Sequence, residues 1–60
     1  MQLSEKELSS IKTLLNEEDL LVKKFQMLAD HAETPEVKEK MMSISETHQA
    51  HFNVLYSKLS

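Results

Sequence analysis

The stretch AETPEV, residues 32–37, decides how this chain folds, because it carries the signals that end one helix and start another. Thr34 suits the position just before a helix, where its hydroxyl accepts a hydrogen bond from a backbone N–H of the first turn. Pro35 suits the first helical position, and Glu36 is favoured near the positive end of the helix dipole. The connection is then about two residues, 33–34, so we expect the two helices to fold back as an antiparallel hairpin.

The composition favours helix on both sides of this turn. The chain has 60 residues, no glycine and a single proline, and helix-forming residues dominate it. A chain this short buries too little surface to be comfortably stable alone, and without cysteine it has no disulfide to hold it together. Self-association or a bound metal remains as a source of further stability.

The first helix is predicted over about residues 5–32. SEKE, residues 4–7, has the spacing of a capping box, with Ser4 before the helix and Glu7 reaching back. Apolar positions then recur in alternating steps of three and four, which is typical of a packed helical seam. The seam consists of Leu8, Ile11, Leu15, Glu18, Val22, Phe25, Ala29 and Ala32, and Glu18 is its one charged member. A second apolar row widens the stripe on one side and consists of Leu14, Leu21 and Leu28.

The second helix is predicted over about residues 35–59, with two histidines on its seam. That seam consists of Val37, Met41, Ile44, His48, His51, Leu55 and Leu59. In the folded hairpin, residues whose numbers sum to about 67 come level, so Glu18 faces His48 and His51. Phe25 faces Met41 and Ile44. Since burying a carboxylate or an imidazole without a partner costs several kcal/mol, this isolated polar layer is a candidate site.

A two-helix hairpin exposes half of its apolar stripe, and pairing two hairpins into a four-helix bundle would cover it. We therefore expect an all-α protein, residues 1–60, whose hairpins form a homodimer. Glu18 and His48 lie near the midpoints of their helices, so a two-fold axis brings two glutamates and four histidines into one central layer.

The charge pattern argues against several partners. The net charge is −3, and no basic cluster exceeds the Lys23–Lys24 pair, so nucleic acid is not expected as a partner. The start, MQLSEKE, lacks the features of a signal peptide, and no apolar run approaches the ~20 residues of a membrane span. We expect a soluble cytoplasmic protein without a membrane partner.

At this point the sequence resembles the ferritin-like superfamily, and rubrerythrin-type half-bundles in particular. The residues that carry the resemblance are Glu18, Phe25, the turn TPEVK at 34–38, the pair HF at 51–52, Leu55 and Leu59. The turn and the late histidines also look like spore coat protein F and its small relatives in spore-forming bacteria. That second likeness implies spore association as an alternative to the cytoplasm.

The resemblance implies a metal site between helices. Glu18 takes the place of the metal-binding glutamate of the first helix, and His51 takes that of the histidine in the Glu-x-x-His motif. His48 stands where the family pattern has a second, bridging glutamate. A dimer then offers two carboxylates instead of four, which argues for a degenerate di-metal site and against peroxidase or ferroxidase activity.

Two interpretations of the layer stay open. Glu18, His48 and His51 can ligate a divalent metal such as iron or zinc, which would also stabilise the small fold. Alternatively, the layer is free of metal and Glu18 accepts hydrogen bonds from the imidazoles, so that the protein is a non-catalytic assembly module. His31 is expected to interact with the negative end of the first helix dipole and not with a ligand. Nothing in the sequence supports nucleophilic catalysis.

Overall fold

The computed structural model describes residues 2–59, which form two α-helices and no strands. Helix α1 spans Glu5–Asp30 and helix α2 spans Pro35–Ser57. They pack side by side as an antiparallel hairpin measuring 46 × 15 × 11 Å. The predicted all-α hairpin is therefore confirmed for these residues, while Met1 and Ser60 of the predicted domain lie outside them. Neither helix within residues 2–59 has a segment long and apolar enough to cross a membrane.

Both helices begin where the capping signals predict. The backbone N–H of Glu7 donates to the Ser4 hydroxyl at 3.1 Å, and the backbone N–H of Ser4 donates to the Glu7 carboxylate at 3.0 Å. This reciprocal pair is the predicted capping box. At the start of α2, the backbone N–H of Val37 donates to the Thr34 hydroxyl at 3.2 Å. Pro35 follows Thr34 as the first residue of the helix.

Both helices end two residues before their predicted limits, at Asp30 instead of 32 and at Ser57 instead of 59. At each end the backbone closes through hydrogen bonds to the carbonyl three residues earlier. The N–H of Ala32 donates to the Ala29 carbonyl at 3.2 Å, and that of Leu59 donates to the Tyr56 carbonyl at 3.0 Å. Such bonds satisfy the last carbonyls by tightening the chain into a turn, which ends the α-helical repeat while the apolar pattern still continues.

The core of the hairpin is a narrow line between the helices. Leu15, Val22 and Ala29, which are spaced seven residues apart on α1, are the buried apolar residues among those described. On α2 the buried residue is Ser45, whose hydroxyl donates to the Val22 backbone carbonyl at 3.0 Å. The numbers 22 and 45 sum to 67, so this bond confirms the predicted register of the two helices.

Candidate metal centre

Glu18 occupies the α1 seam between the buried Leu15 and Val22, one turn from each, and its side chain is only 13% exposed. Both carboxylate oxygens are used. Oε1 lies 2.9 Å from His48 Nδ1, and Oε2 lies 2.9 Å from His51 Nδ1. The single carboxylate therefore joins two imidazoles, as the register of the hairpin predicts.

His48 and His51 differ in exposure although both reach Glu18. The His48 side chain is 20% exposed, whereas that of His51 is 58% exposed. The line of closest approach on α2 passes through Ser45, and a residue six positions further along a helix points about 120°, a third of a turn, away from that line. His51 therefore lies at the edge of the interhelical contact. The prediction that both histidines lie within the seam is correct for His48 and needs this correction for His51.

The imidazoles also make aromatic contacts. The Phe25 ring stacks on the His48 ring, with centroids 5.8 Å apart and planes inclined by 17°. The His48 and His51 rings meet edge to face, at 5.7 Å and 86°. Sequence analysis placed Phe25 on the seam opposite Met41 and Ile44 and gave it no role at the site. The sequence does contain an indication of this contact, because Phe25 lies two turns after Glu18 on the same seam.

Ser45 is the second residue whose role the sequence analysis missed. It is 5% exposed, and its bond to the Val22 carbonyl lies one turn from His48 on the same face of α2. A serine can take this place because its small side chain lets the helices approach closely while its hydroxyl finds an acceptor. The signal in the sequence was the spacing of three residues between Ser45 and His48. The Ser45–Val22 bond fixes the height at which Glu18 meets the histidines.

The Glu18 carboxylate is hydrogen-bonded within the hairpin through both of its oxygens. An ionised carboxylate only accepts hydrogen bonds, so both imidazoles donate through Nδ1–H and, when neutral, keep an unprotonated Nε2. Within residues 2–59, no buried side-chain nitrogen or oxygen lacks a hydrogen-bond partner. Both oxygens of the Glu18 carboxylate are therefore hydrogen-bonded, which offsets the cost of burying it.

The same three residues form a candidate ligand set. One ligand atom from each of Glu18, His48 and His51 lies within 4.8 Å of the other two. Each imidazole Nδ1 lies 2.9 Å from a different oxygen of the Glu18 carboxylate. Two imidazole nitrogens and one carboxylate suit zinc, iron(II) and related ions and leave coordination positions open. The three side chains thus lie close enough together to hold a metal ion.

The third histidine stands apart from this group. His31 is the C-cap of α1, and its backbone N–H donates to the Met27 carbonyl at 3.1 Å. It is exposed and does not belong to the ligand set among the described residues. Comparisons of the chain with protein-family models, with curated proteins and with solved structures found no match.

Proposed function

We propose that this chain is a non-enzymatic metal-binding protein in which Glu18, His48 and His51 hold a divalent ion, iron or zinc. The observation that supports the proposal most directly is the convergence of three metal-ligating side chains from two helices within 4.8 Å. Two of them are more than three-quarters buried, so the protein matrix and not the solvent positions the donors.

The bound ion would supply a Lewis-acidic centre with free coordination positions. The residues of the chain supply orientation. Phe25 stacks on the ring of His48 and Glu18 accepts its hydrogen bond, and in the single hairpin the exposed ring of His51 leaves one side of the site accessible. To ligate through Nδ1, each neutral imidazole carries its proton on Nε2 instead, so binding exchanges two hydrogen bonds for two metal bonds.

The proposal includes self-association into a ferritin-like four-helix bundle. What supports it is the small core: three apolar residues are buried among those described, which is little for a chain of this length. A dimer would carry two of these sites, with one carboxylate each, in place of the four carboxylates of a di-metal centre. Kinship with rubrerythrin-type proteins or small spore coat proteins rests on the sequence resemblance alone.

Metal analysis of protein prepared without a histidine tag tests the proposal. The protein is stripped with chelator, loaded with Zn²⁺ or anaerobic Fe²⁺, dialysed and analysed for metal per chain. We expect one ion per chain in the natural protein and loss of the ion in Glu18→Ala and His48→Ala. His31→Ala is the matched control, because it removes an imidazole outside the site and should leave the stoichiometry unchanged. Natural protein without bound metal, or equal loss in the His31 variant, would contradict the proposal.

A second candidate function is an assembly module whose polar layer only sets helix register. Its specific support is that Glu18 and both imidazoles already satisfy one another by hydrogen bonds, so no ion is needed to compensate them. On this interpretation the melting temperature is indifferent to chelator and to added metal. On the metal-binding interpretation, chelator lowers it and metal restores it.

A further inference from the structure

The two sides of the hairpin differ sharply in polarity. The contact line between the helices passes through Leu15, Val22 and Ala29 on α1 and through Ser45 on α2. A residue that directly precedes one of these is rotated by about 100° toward one side of its helix. Because the helices are antiparallel and both right-handed, the preceding residues of α1 and of α2 lie on the same side of the hairpin.

We call this side the open face. It is formed by one row of residues on each helix, and the members of a row are seven residues apart. The rows are Leu14, Leu21 and Leu28 on α1 and Val37, Ile44 and His51 on α2. Leu14, Leu28 and Val37 are 44, 37 and 46% exposed. None of the six carries a carboxylate or an ammonium group, so the face offers an apolar surface with one imidazole in it.

The opposite side has the reverse character. The residues that directly follow the contact positions are Asn16, Lys23 and Asp30 on α1 and Glu46 on α2. Glu39 and Asn53 lie seven residues before and after Glu46, in the same row of α2. All six are polar or charged, and all are exposed. These rows are polar throughout, whereas the rows of the open face are apolar except for His51, which favours the open face as the contact surface. Exposed apolar side chains outside the open face include Met27, Met42 and Tyr56.

We infer that a second copy of this chain covers the open face. The inference rests on the self-association included in the proposed function and specifies the surface that performs it. The open face follows the long axis of the hairpin, which measures 46 Å, so a second copy can contact it over several helical turns. Two copies of an uncharged face meet without like-charge repulsion, and the added burial supplies the core that one hairpin lacks.

The docked copy also closes the candidate metal centre. His51 lies on the open face, level with the α1 segment between Leu14 and Leu21, and its 58% exposed side chain is the open edge of the site. Covering this face buries the imidazole on that edge. The metal centre of each protomer then lies at the interface, where the partner controls access of solvent and of ions.

A pair of leucine substitutions on the same helix tests the inference. Leu14 is on the open face, whereas Leu20 is 58% exposed on the surface of α1 that points away from α2. Sedimentation equilibrium of the natural 6.9 kDa chain should give twice the chain mass. Leu14→Asp buries a carboxylate in the interface and should weaken association at least tenfold, by the several kcal/mol that an unpaired buried charge costs. Leu20→Asp should sediment like the natural chain.

Val37→Asp is a second substitution on the open face and should also dissociate the dimer, so the test does not depend on Leu14 alone. Dissociation with the helical circular dichroism retained supports the inference, since Leu14 and Val37 also contact their own hairpin. Val37→Asp carries the test if Leu14→Asp unfolds, because an acidic residue in the first turn of α2 favours the helix. A dimer that survives both substitutions, or that Leu20→Asp disrupts equally, refutes the open face but leaves the metal site intact. A natural chain that binds zinc as a monomer refutes docking alone, and a dimer that binds no metal refutes the metal site alone.

Discussion

Glu18 keeps its carboxylate 13% exposed because two imidazoles replace the water that the carboxylate loses on folding. The arrangement works only because each oxygen serves a different ring. A shorter aspartate in this place would withdraw the carboxylate by one methylene, about the length of a carbon–carbon bond, and could not reach both Nδ1 atoms at hydrogen-bond distance. The length of the side chain at residue 18 therefore determines whether one carboxylate can accept hydrogen bonds from both imidazoles.

The protonation of the two rings is the first prediction at this scale. Without metal and at a pH where the imidazoles are neutral, His48 and His51 should carry their proton on Nδ1, because the Glu18 carboxylate can only accept. On zinc binding through Nδ1 the proton should move to Nε2. Nitrogen-15 NMR of the histidine side chains distinguishes the two tautomers, and His31 serves as an internal reference outside the site. Nε2-protonated rings in the metal-free protein would contradict the hydrogen bonds described here.

Ser45 allows a second prediction with a matched control. Ser45→Ala removes the hydroxyl that bonds to the Val22 carbonyl, which should cost about 1 kcal/mol of the free energy of unfolding. Ser43→Ala changes an exposed serine of the same helix and should be neutral or slightly stabilising, since alanine is the better helix former. The difference between the variants in urea denaturation isolates the interhelical bond. Equal effects at both positions would mean that this bond contributes nothing.

At the scale of elements, each helix is defined more sharply at its start than at its end. The starts are made by side chains, namely the Ser4–Glu7 capping box and the Thr34 hydroxyl followed by Pro35. The ends are made by backbone turns, and basic residues are absent from the last turn of both helices. Side-chain capping leaves a pattern in the sequence, whereas a turn made by the backbone leaves little.

The capping box leads to a prediction of pH dependence. The hydrogen bond from the Ser4 backbone N–H, with the Ser4 side chain second, lowers the pKa of Glu7 below its ordinary value. A lowered folded-state pKa contributes stability above the ordinary glutamate range, and this contribution is lost as the pH falls through the folded value. Glu7→Gln should therefore be less stable than the natural chain near neutral pH, and the gap should shrink in acid. Thermal melts between about pH 6 and about pH 3 measure it; a gap that widens in acid would contradict the assignment.

At the scale of the whole molecule, the hairpin is long and thin. Its 46 Å length and 11 Å thickness leave room for one line of buried side chains, so the energy of the single hairpin is small. The proposed metal ion and the proposed second copy would each add to the small stability of the single hairpin. Metal joins the helices at mid-height, while the open face adds apolar burial along their whole length.

Metal linkage gives the prediction at this scale. Zinc at about 100 times its dissociation constant should stabilise the native state by about 2.7 kcal/mol, which for a chain of this size raises the melting temperature by roughly 10–20 °C. Differential scanning calorimetry with and without zinc measures the shift. His31→Ala should keep it and Glu18→Ala should lose it. A shift that persists in the Glu18 variant would place the ion elsewhere.

The sequence by itself determined the two helices, their starts, their antiparallel order and the register that brings Glu18 to His48 and His51. These follow from local rules, because capping residues and the apolar period act within a few residues of each other, and a two-residue turn leaves one way to fold back. The helix ends came out two residues too long for the same reason, since the apolar period continues where the backbone turns.

Only the tertiary structure decided how deeply each histidine is buried and which side chains it contacts. The period places His48 and His51 on one stripe, but it does not give the line along which two helices touch. That line passes through Ser45, which puts His48 inside and leaves His51 58% exposed at the edge. The stacking of Phe25 on His48 likewise depends on the distance and tilt between helices. Packing sets these quantities through side-chain shapes on both helices at once, and no pattern along a single helix contains them.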